Sequence, residues 1–193
     1  GGTNTWSSTT NTINLTTTTA NGSSVVVQTK RRIKYNPSRS VLIQISGNLG
    51  GLKANCRRRI GQFDTNNGLY FECSDVVKVV IRSNTSGAVV NTEIAQADWN
   101  IDKLDGTGAS GLTLDVSKHQ LFVIEYGWQG VAAVKFGVYI NGSIQFFHQY
   151  NSANVLTTAY MKTANLPIRL ENTNTAATAS ATTMSVVCVA MKN

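Results

Sequence analysis

Charge is scarce in this 193-residue chain. Asp, Glu, Lys and Arg make up 14% of it, against roughly a quarter in an ordinary soluble domain. With 41% aliphatic or aromatic residues, the surface has to be built largely from Thr, Asn, Ser and Gln. Such a surface suits packed assemblies and sugar-facing proteins better than solvated cytosolic enzymes. Cysteine is sparse as well. Cys56, Cys73 and Cys188 are odd in number, far apart and outside any Cys-x-x-Cys pair, which argues against a disulfide framework or a zinc site. Cys73 and Cys188 lie in apolar alternating runs and read as buried free thiols, and a reducing compartment of synthesis follows.

Long apolar runs are missing. None approaches the roughly 20 residues needed to cross a bilayer, and no basic-then-apolar leader opens the sequence, so no membrane partner is expected. The sequence starts at Gly1, as a processed chain or a segment of a longer one would. Catalytic signatures are missing too. No Gly-x-Ser-x-Gly, Gly-x-x-x-x-Gly-Lys-Ser/Thr or His-Glu-x-x-His pattern occurs. His119 and His148 are the only histidines, and His148, following Phe146 and Phe147 along a strand-like run, reads as a hydrogen-bonded structural residue. No enzymatic activity, metal or cofactor is expected.

Positive charge stands out against this background: 17 Lys and Arg face 10 Asp and Glu, for a net +7. It is clustered at Lys30, Arg31, Arg32 and Lys34 and again at Arg57, Arg58 and Arg59. That excess fits nucleic acid, an acidic partner, or an interface neutralised on assembly. No aromatic residue alternates with the first group as a base-stacking surface requires, so sequence-specific nucleic-acid recognition is not expected. Lys30, Arg31, Arg32, Arg57, Arg58 and Arg59 are candidate contacts to a partner protein.

The length fits a single domain. Residues 1–24 are dominated by Thr, Asn, Ser and Gly, with Trp6, Ile13 and Leu15 as isolated apolar points. They read as an extended arm that gains order by pairing with a neighbouring subunit, or as a disordered tail. From Val25 to residue 193 the dominant period is two, as in Val41, Ile43, Ile45; Leu69, Phe71, Cys73; Val77, Val79, Ile81; Leu112, Leu114, Val116; and Val134, Phe136, Val138. Only residues 93–99 pass for a short helical turn. Asn141-Gly142 between two alternating runs is a strong hairpin signal, and residues 66–68, 83–87 and 127–130 punctuate similarly. Roughly ten short strands with tight turns predict an all-β fold, an antiparallel two-sheet β-sandwich of jelly-roll type. Residues 121–126, apolar on both faces, predict a central strand.

Asp98, Asp102 and Asp105 could frame a glycosidase pair or a cation site. Leu104, however, stands where a Ca²⁺ loop needs an oxygen ligand, so turns in which Asp side chains accept nearby backbone N–H groups are expected instead. Trp128, between Gly127 and Gly130, either stacks on a sugar ring or partner protein or folds back over the sandwich edge. Trp128, Asp102 and Asp105 are the candidate ligand contacts.

Several segments occur in order along the chain: Gly61-Gln62-Phe63-Asp64, Asn67-Gly68-Leu69-Tyr70-Phe71-Glu72, Val80-Ile81-Arg82-Ser83, residues 96–115, and Thr163 through Pro167-Ile168-Arg169-Leu170-Glu171. Together they resemble a family of virion structural proteins of tailed phages and large algal DNA viruses. The resemblance spans about residues 56–175. It implies a non-enzymatic particle component, such as a capsid decoration or minor capsid protein, made in the host cytoplasm and resident in the virion. Its partners would be the major capsid protein or other virion proteins, and the arm would support homo-oligomers, with a trimer favoured. The run from Val134 to Gly142 separately resembles the strand-then-Asn-Gly hairpin of concanavalin-like jelly rolls. The second functional reading is therefore a receptor- or carbohydrate-binding module with a glycan ligand.

Overall fold

Side chains along an extended backbone leave alternately on opposite faces, and the period-two runs of this chain form strands for that reason. The computed structural model describes residues 1–192. Its strands are β1 (Thr3–Ser7), β2 (Thr12–Thr17), β3 (Ser24–Gln28), β4 (Val41–Asn48), β5 (Cys56–Phe63), β6 (Gly68–Cys73), β7 (Val77–Ser83), β8 (Val90–Ala95), β9 (Gln120–Tyr126), β10 (Val134–Ile140), β11 (Ser143–Tyr150), β12 (Ile168–Asn174) and β13 (Thr182–Lys192). A single 3₁₀ turn, Gln96–Asp98, follows β8.

Two antiparallel sheets form the expected sandwich. One has seven strands in the order β1-β2-β13-β4-β9-β10-β11, the other six in the order β3-β12-β5-β6-β7-β8. Between them lies one apolar core, to which the alternating residues Ile43, Ile45, Phe122, Phe136, Leu69, Phe71, Val79 and Ile81 contribute. Phe71 is an aromatic hub, with ring centroids 4.9 Å from Phe122, 5.5 Å from Phe136 and 6.2 Å from Phe147. β9 lies inside its sheet between β4 and β10, and consecutive residues Phe122, Val123 and Ile124 are all buried. Asn141 and Gly142 both take positive φ, 52° and 82°, and close the β10–β11 hairpin beside the Ile140↔Ser143 pair.

Three expectations are corrected here. Residues 1–24 are not an arm standing off the domain. β2 pairs with β13 from Thr17↔Thr182 to Ile13↔Val186, and β1 pairs with β2. Leu15 is fully buried in the domain's own core and Ile13 packs against it, whereas Trp6 stays exposed. A buried polar network rather than apolar mass ties this segment in. Thr17 Oγ1 hydrogen-bonds Asn174 Oδ1 at 3.0 Å and the Thr182 hydroxyl at 2.6 Å. Asn172 Nδ2 donates to Leu15 O and Thr182 O, each at 2.9 Å, and Asn174 Nδ2 donates to Thr18 O at 2.7 Å. The network thus joins β2 to β12 and β13 within the domain.

The run Leu112, Leu114, Val116 is not a strand. It belongs to a loop whose alternation arises because Leu114 and Val116 dip into the core, while Leu114 N–H donates to Leu104 O and Gly51 N–H to Val116 O. Cys188 is exposed rather than buried, because β13 loses its β2 neighbour beyond Val186. Cys73 is buried as expected, and burial pushes its thiol up to about 11, out of reach of ordinary thiolate chemistry.

Candidate functional site on the outer face of the six-stranded sheet

β5, β6 and β7 turn Ile60, Leu69, Phe71, Val79 and Ile81 into the core. Period two therefore sends Arg59, Phe63, Tyr70, Glu72, Lys78, Val80 and Arg82 to the opposite face. Cross-strand register lines up a row of alternating charge there: Glu171 on β12 is opposite Arg59 on β5, Arg59 opposite Glu72 on β6, and Glu72 opposite Lys78 on β7. Arg59 Nε donates to Glu72 Oε2 at 2.6 Å and Arg59 Nη1 to Glu171 Oε1 at 3.1 Å. Lys78 Nζ reaches Glu93 Oε2 on β8 at 2.8 Å. At the other end Arg169 grips Glu171 Oε2 through Nε and Nη2, and its Nη1 donates to Gln28 Oε1 on β3. Opposite charges facing one another across strands stabilise the sheet and hold each head group in one orientation.

Beside this row Phe63, Tyr70 and Val80 form a separate apolar cluster, with the two rings 4.5 Å apart. Arginines roof it. The Arg82 guanidinium lies 5.2 Å from the Tyr70 ring and 6.0 Å from Phe63, Arg169 lies 5.6 Å from Phe63, and Arg59 lies 5.3 Å from Tyr70. These are cation–π distances, and the roof explains why outward-facing Tyr70 and Phe63 are fully buried. Arg82 Nε donates to Asn91 Oδ1 and Nη1 to Asp64 O, while Nη2 makes no hydrogen bond within the described chain. Asn91 and Glu93 next to it are exposed. Arg82, Asn91, Glu93 and Lys78 thus place charged donors, an amide and a carboxylate on one rigid patch.

Electrostatics favour the ionised form of two carboxyls here, Glu171 and Asp64. Burial would raise the Glu171 carboxyl, but the hydrogen bonds from Arg169 and the charges of Arg59 and Arg169 outweigh it and hold Glu171 below the usual range. Asp64 behaves alike: burial opposes ionisation, while Arg32 and the N–H groups of Asn67 and Asn66 overcome it. Both carboxyls have a folded pKa below the unfolded one. Their contribution to stability is complete above the ordinary carboxylate range and is lost as pH falls through the folded values. Urea midpoints should accordingly start to drop near about pH 5 and keep falling below it. Glu171→Gln should flatten part of that acid limb, and an unchanged slope in the variant would show that Glu171 is not a source of it.

Arg57, Arg58 and Arg59 do not form a partner-contacting patch. Arg58 points into the core and donates to Leu49 O, Arg59 is enclosed by Glu72 and Glu171, and only Arg57 is half-buried. Three consecutive arginines on a strand cannot share a face, and period two already separates Arg58 from its neighbours. Lys30 and Arg31 are exposed, and Arg32 pairs with Asp64 at 2.8 Å.

The expected ligand contacts do not converge either. Trp128 folds back: its Nε1 donates to Met161 O at 3.3 Å and its ring meets Tyr35 edge-on at 5.8 Å. Asp102 is buried and accepts the N–H groups of Leu104 and Ser110, which keep its carboxyl below the usual range. Asp105 accepts the N–H and hydroxyl of Thr107. Asp98 lies in the exposed 3₁₀ turn. Asp102 and Asp105 are the turn-capping aspartates the spacing suggests, Asp98 is not, and the loop docks against Phe147 O through the N–H groups of Ile101 and Asp102. His148 is buried, accepts the Asn100 N–H at Nδ1 (3.3 Å), and is kept neutral by desolvation. Among the described residues no group of three His, Cys, Asp or Glu is placed to hold a metal ion.

No protein-family model matches the chain, and no curated protein does. Solved structures do. A β-1,3-glucanase from Mycobacterium marinum superposes with a TM-score of 0.61 at 11% identity, covering 94% of this chain and 74% of the other. The carbohydrate recognition domain of Emp47p gives 0.58 at 12% identity, over 100% and 86%. The legume lectin-like domain from Entamoeba histolytica gives 0.55 at 11% identity, over 100% and 87%. At such identities the likeness is one of architecture: the chain is an antiparallel two-sheet sandwich of the jelly-roll kind seen in these lectin-like and glycan-cleaving proteins.

Proposed function

We propose that this chain binds glycans through the outer face of its six-stranded sheet, with Arg82, Asn91, Glu93 and Lys78 as the polar contacts. The observation that carries the reading is the Arg82 guanidinium, fixed on the Tyr70 and Phe63 rings with one nitrogen left free, beside an exposed amide and carboxylate. Sugar hydroxyls demand donors and acceptors together. Head groups already held by hydrogen bonds, as Arg82 and Asn91 are, or by an ion pair, as Lys78 and Glu93 are, bind them with little further loss of side-chain freedom. Names among the structural relatives, a carbohydrate recognition domain and a glucanase, support a sugar ligand for such a sandwich. Glu171 is not suited to act as a general acid at such a site, because Arg169 and Arg59 hold its carboxyl below the usual range whereas a general acid needs a raised pKa.

Glycan arrays followed by titration calorimetry test it. Arg82→Ala should weaken binding about tenfold or more, the equivalent of losing one charged hydrogen bond at roughly 1.5–3 kcal/mol. Asn91→Ala should weaken it to a lesser degree, and Trp128→Ala should leave affinity unchanged. If no glycan binds at millimolar concentration, or if Arg82→Ala binds like the parent, the proposal fails.

A virion setting is the second part of the reading, and one observation favours it. The segments resembling virion structural proteins, residues 61–72, 80–83, 96–115 and 163–171, include most of β6 and parts of β5, β7 and β12, four of the six strands of this sheet. The chain would then ornament a particle and present the sugar-binding sheet outward. Mass spectrometry of purified particles should find it, and its absence there would remove the setting without touching glycan binding.

A further inference from the structure

Strand β13 is flanked by β4 along Ser185–Lys192, yet on its other side β2 accompanies it only from Thr182 to Val186. There the β1–β2 hairpin turns back, and β13 carries a bulge between Val186 and Cys188. Beyond that point no described strand lies against the side of β13 facing away from β4. Bare edges are usually blunted by lysine, proline or a covering segment. This one presents Val187, Cys188, Val189 and Ala190, with no charge before Lys192, and Val187 and Val189 are 41% and 38% exposed.

An apolar cleft of about 220 Å³ opens directly beneath the edge, between the two sheets. Ile13, Val27, Ile168, Leu170, Val186 and Val189 line it, together with Thr29. Lys30 and Arg31 follow Thr29, stand exposed, and form no ion pair among the described residues, in contrast to Arg32. The same part of the molecule therefore combines a strand side without a neighbouring strand, an apolar cleft, and exposed positive charge outside any ion pair.

We propose that this edge receives an extended segment of another protein, apolar at alternate positions and acidic at the end that meets Lys30 and Arg31. The incoming strand would lie beside β13 past the end of β2, over the span of Val187–Lys192. Its main-chain groups would complete the ladder, every second side chain would enter the cleft, and its carboxylates would face the free cations. The inference stands apart from the glycan reading, since it uses the opposite sheet's edge and none of the Arg82 patch.

A fluorescein-labelled synthetic decapeptide of alternating threonine and valine ending in three glutamates is the probe, read by fluorescence anisotropy against the intact chain. Saturable binding is expected. It should weaken about tenfold when alternate peptide nitrogens are methylated, because those ladder hydrogen bonds are lost. A similar loss is expected when lysines replace the glutamates. Val189→Asp should abolish binding. Should that variant not fold, Lys30→Glu combined with Arg31→Glu, at two exposed positions, should erase the preference for the acid-ended peptide. Equal binding of the methylated peptide overturns the proposal, as does no binding at about 1 mM. Self-association of the chain in sedimentation that Val189→Asp removes also overturns it, because the edge would then belong to a second copy.

Discussion

Arg59→Ala should destabilise the domain by about 3–5 kcal/mol, the range seen when one partner of a buried ion pair is removed. Two carboxylates depend on this one guanidinium, and their side chains are only 3% and 11% exposed, for Glu72 and Glu171 respectively. Lys78 stands 4.0 Å from Glu72, and Arg169 holds only the far oxygen of Glu171. Neither can fill the space Arg59 leaves. Domains of this size are stable by about 5–15 kcal/mol, so the loss would consume a large share of the total. Urea denaturation at pH 7 measures it. Replacing Arg59, Glu72 and Glu171 together by apolar residues of similar volume should cost less, because both carboxylates leave with the guanidinium and only Arg169, still bonded to Gln28, loses its partner. A single-variant loss under about 1 kcal/mol, the size of an exposed pair, would mean that water reaches the triad. Arg82→Ala, by contrast, should weaken glycan binding with a smaller loss of stability.

Gly68→Ala should be comparably severe. Gly68 starts β6 with φ 153°, directly opposite Phe63 at the end of β5. A Cβ added there would lie 2.0 Å from Phe63 Cβ and 2.4 Å from its Cα, and backbone on both strands would have to separate. Strained backbone costs on the order of 1–3 kcal/mol and overpacking a similar amount again, so a loss of roughly 3 kcal/mol or more is expected by the same denaturation measurement. Gly87→Ala is the comparison. It has φ 89° but nothing within 4 Å of the added carbon, and should cost about 1 kcal/mol from backbone strain alone. Equal effects at both sites would sink the steric account. The tight β5–β6 turn matters to the candidate site because it sets Phe63 under Arg82 and Arg169.

Much of the fold is legible in local pattern. Val77, Val79 and Ile81 alternate inward, and Asn141-Gly142 has the two residues most tolerant of positive φ where the hairpin needs them. The outer face is legible only in part. Period two sends Arg59, Tyr70 and Glu72 away from the core, and an exposed location follows naturally from that. What buries them is the length of Arg82 and Arg169 reaching in from other strands, and that requires the cross-strand register, which pairs residues as distant as Arg59 and Glu171. The Thr-rich opening misleads for a related reason. Its apolar content is too low to signal a core strand, while Thr17, Asn172, Asn174 and Thr182 secure it by mutual hydrogen bonds visible only once β2, β12 and β13 are side by side. The Arg57, Arg58, Arg59 run carries its own correction, since alternation on β5 puts Arg58 with Ile60 on the inner face.

β13 inserts between β2 and β4, and its Thr183 hydrogen-bonds Thr16 across 167 positions of sequence. On a ribosome, β2 and β4 emerge long before the strand that joins them, and the larger sheet stays split in two until nearly all of these residues are available. The six-stranded sheet is under no such delay over β5 to β8, a run of neighbouring hairpins. Closing long loops before their contacts form slows folding, so refolding should be limited by docking of β13, on the millisecond-to-second scale of sandwiches dominated by distant pairings. Until then the valines of β13 and the edges of β2 and β4 are open to wrong partners, and aggregation is most favoured just before β13 arrives.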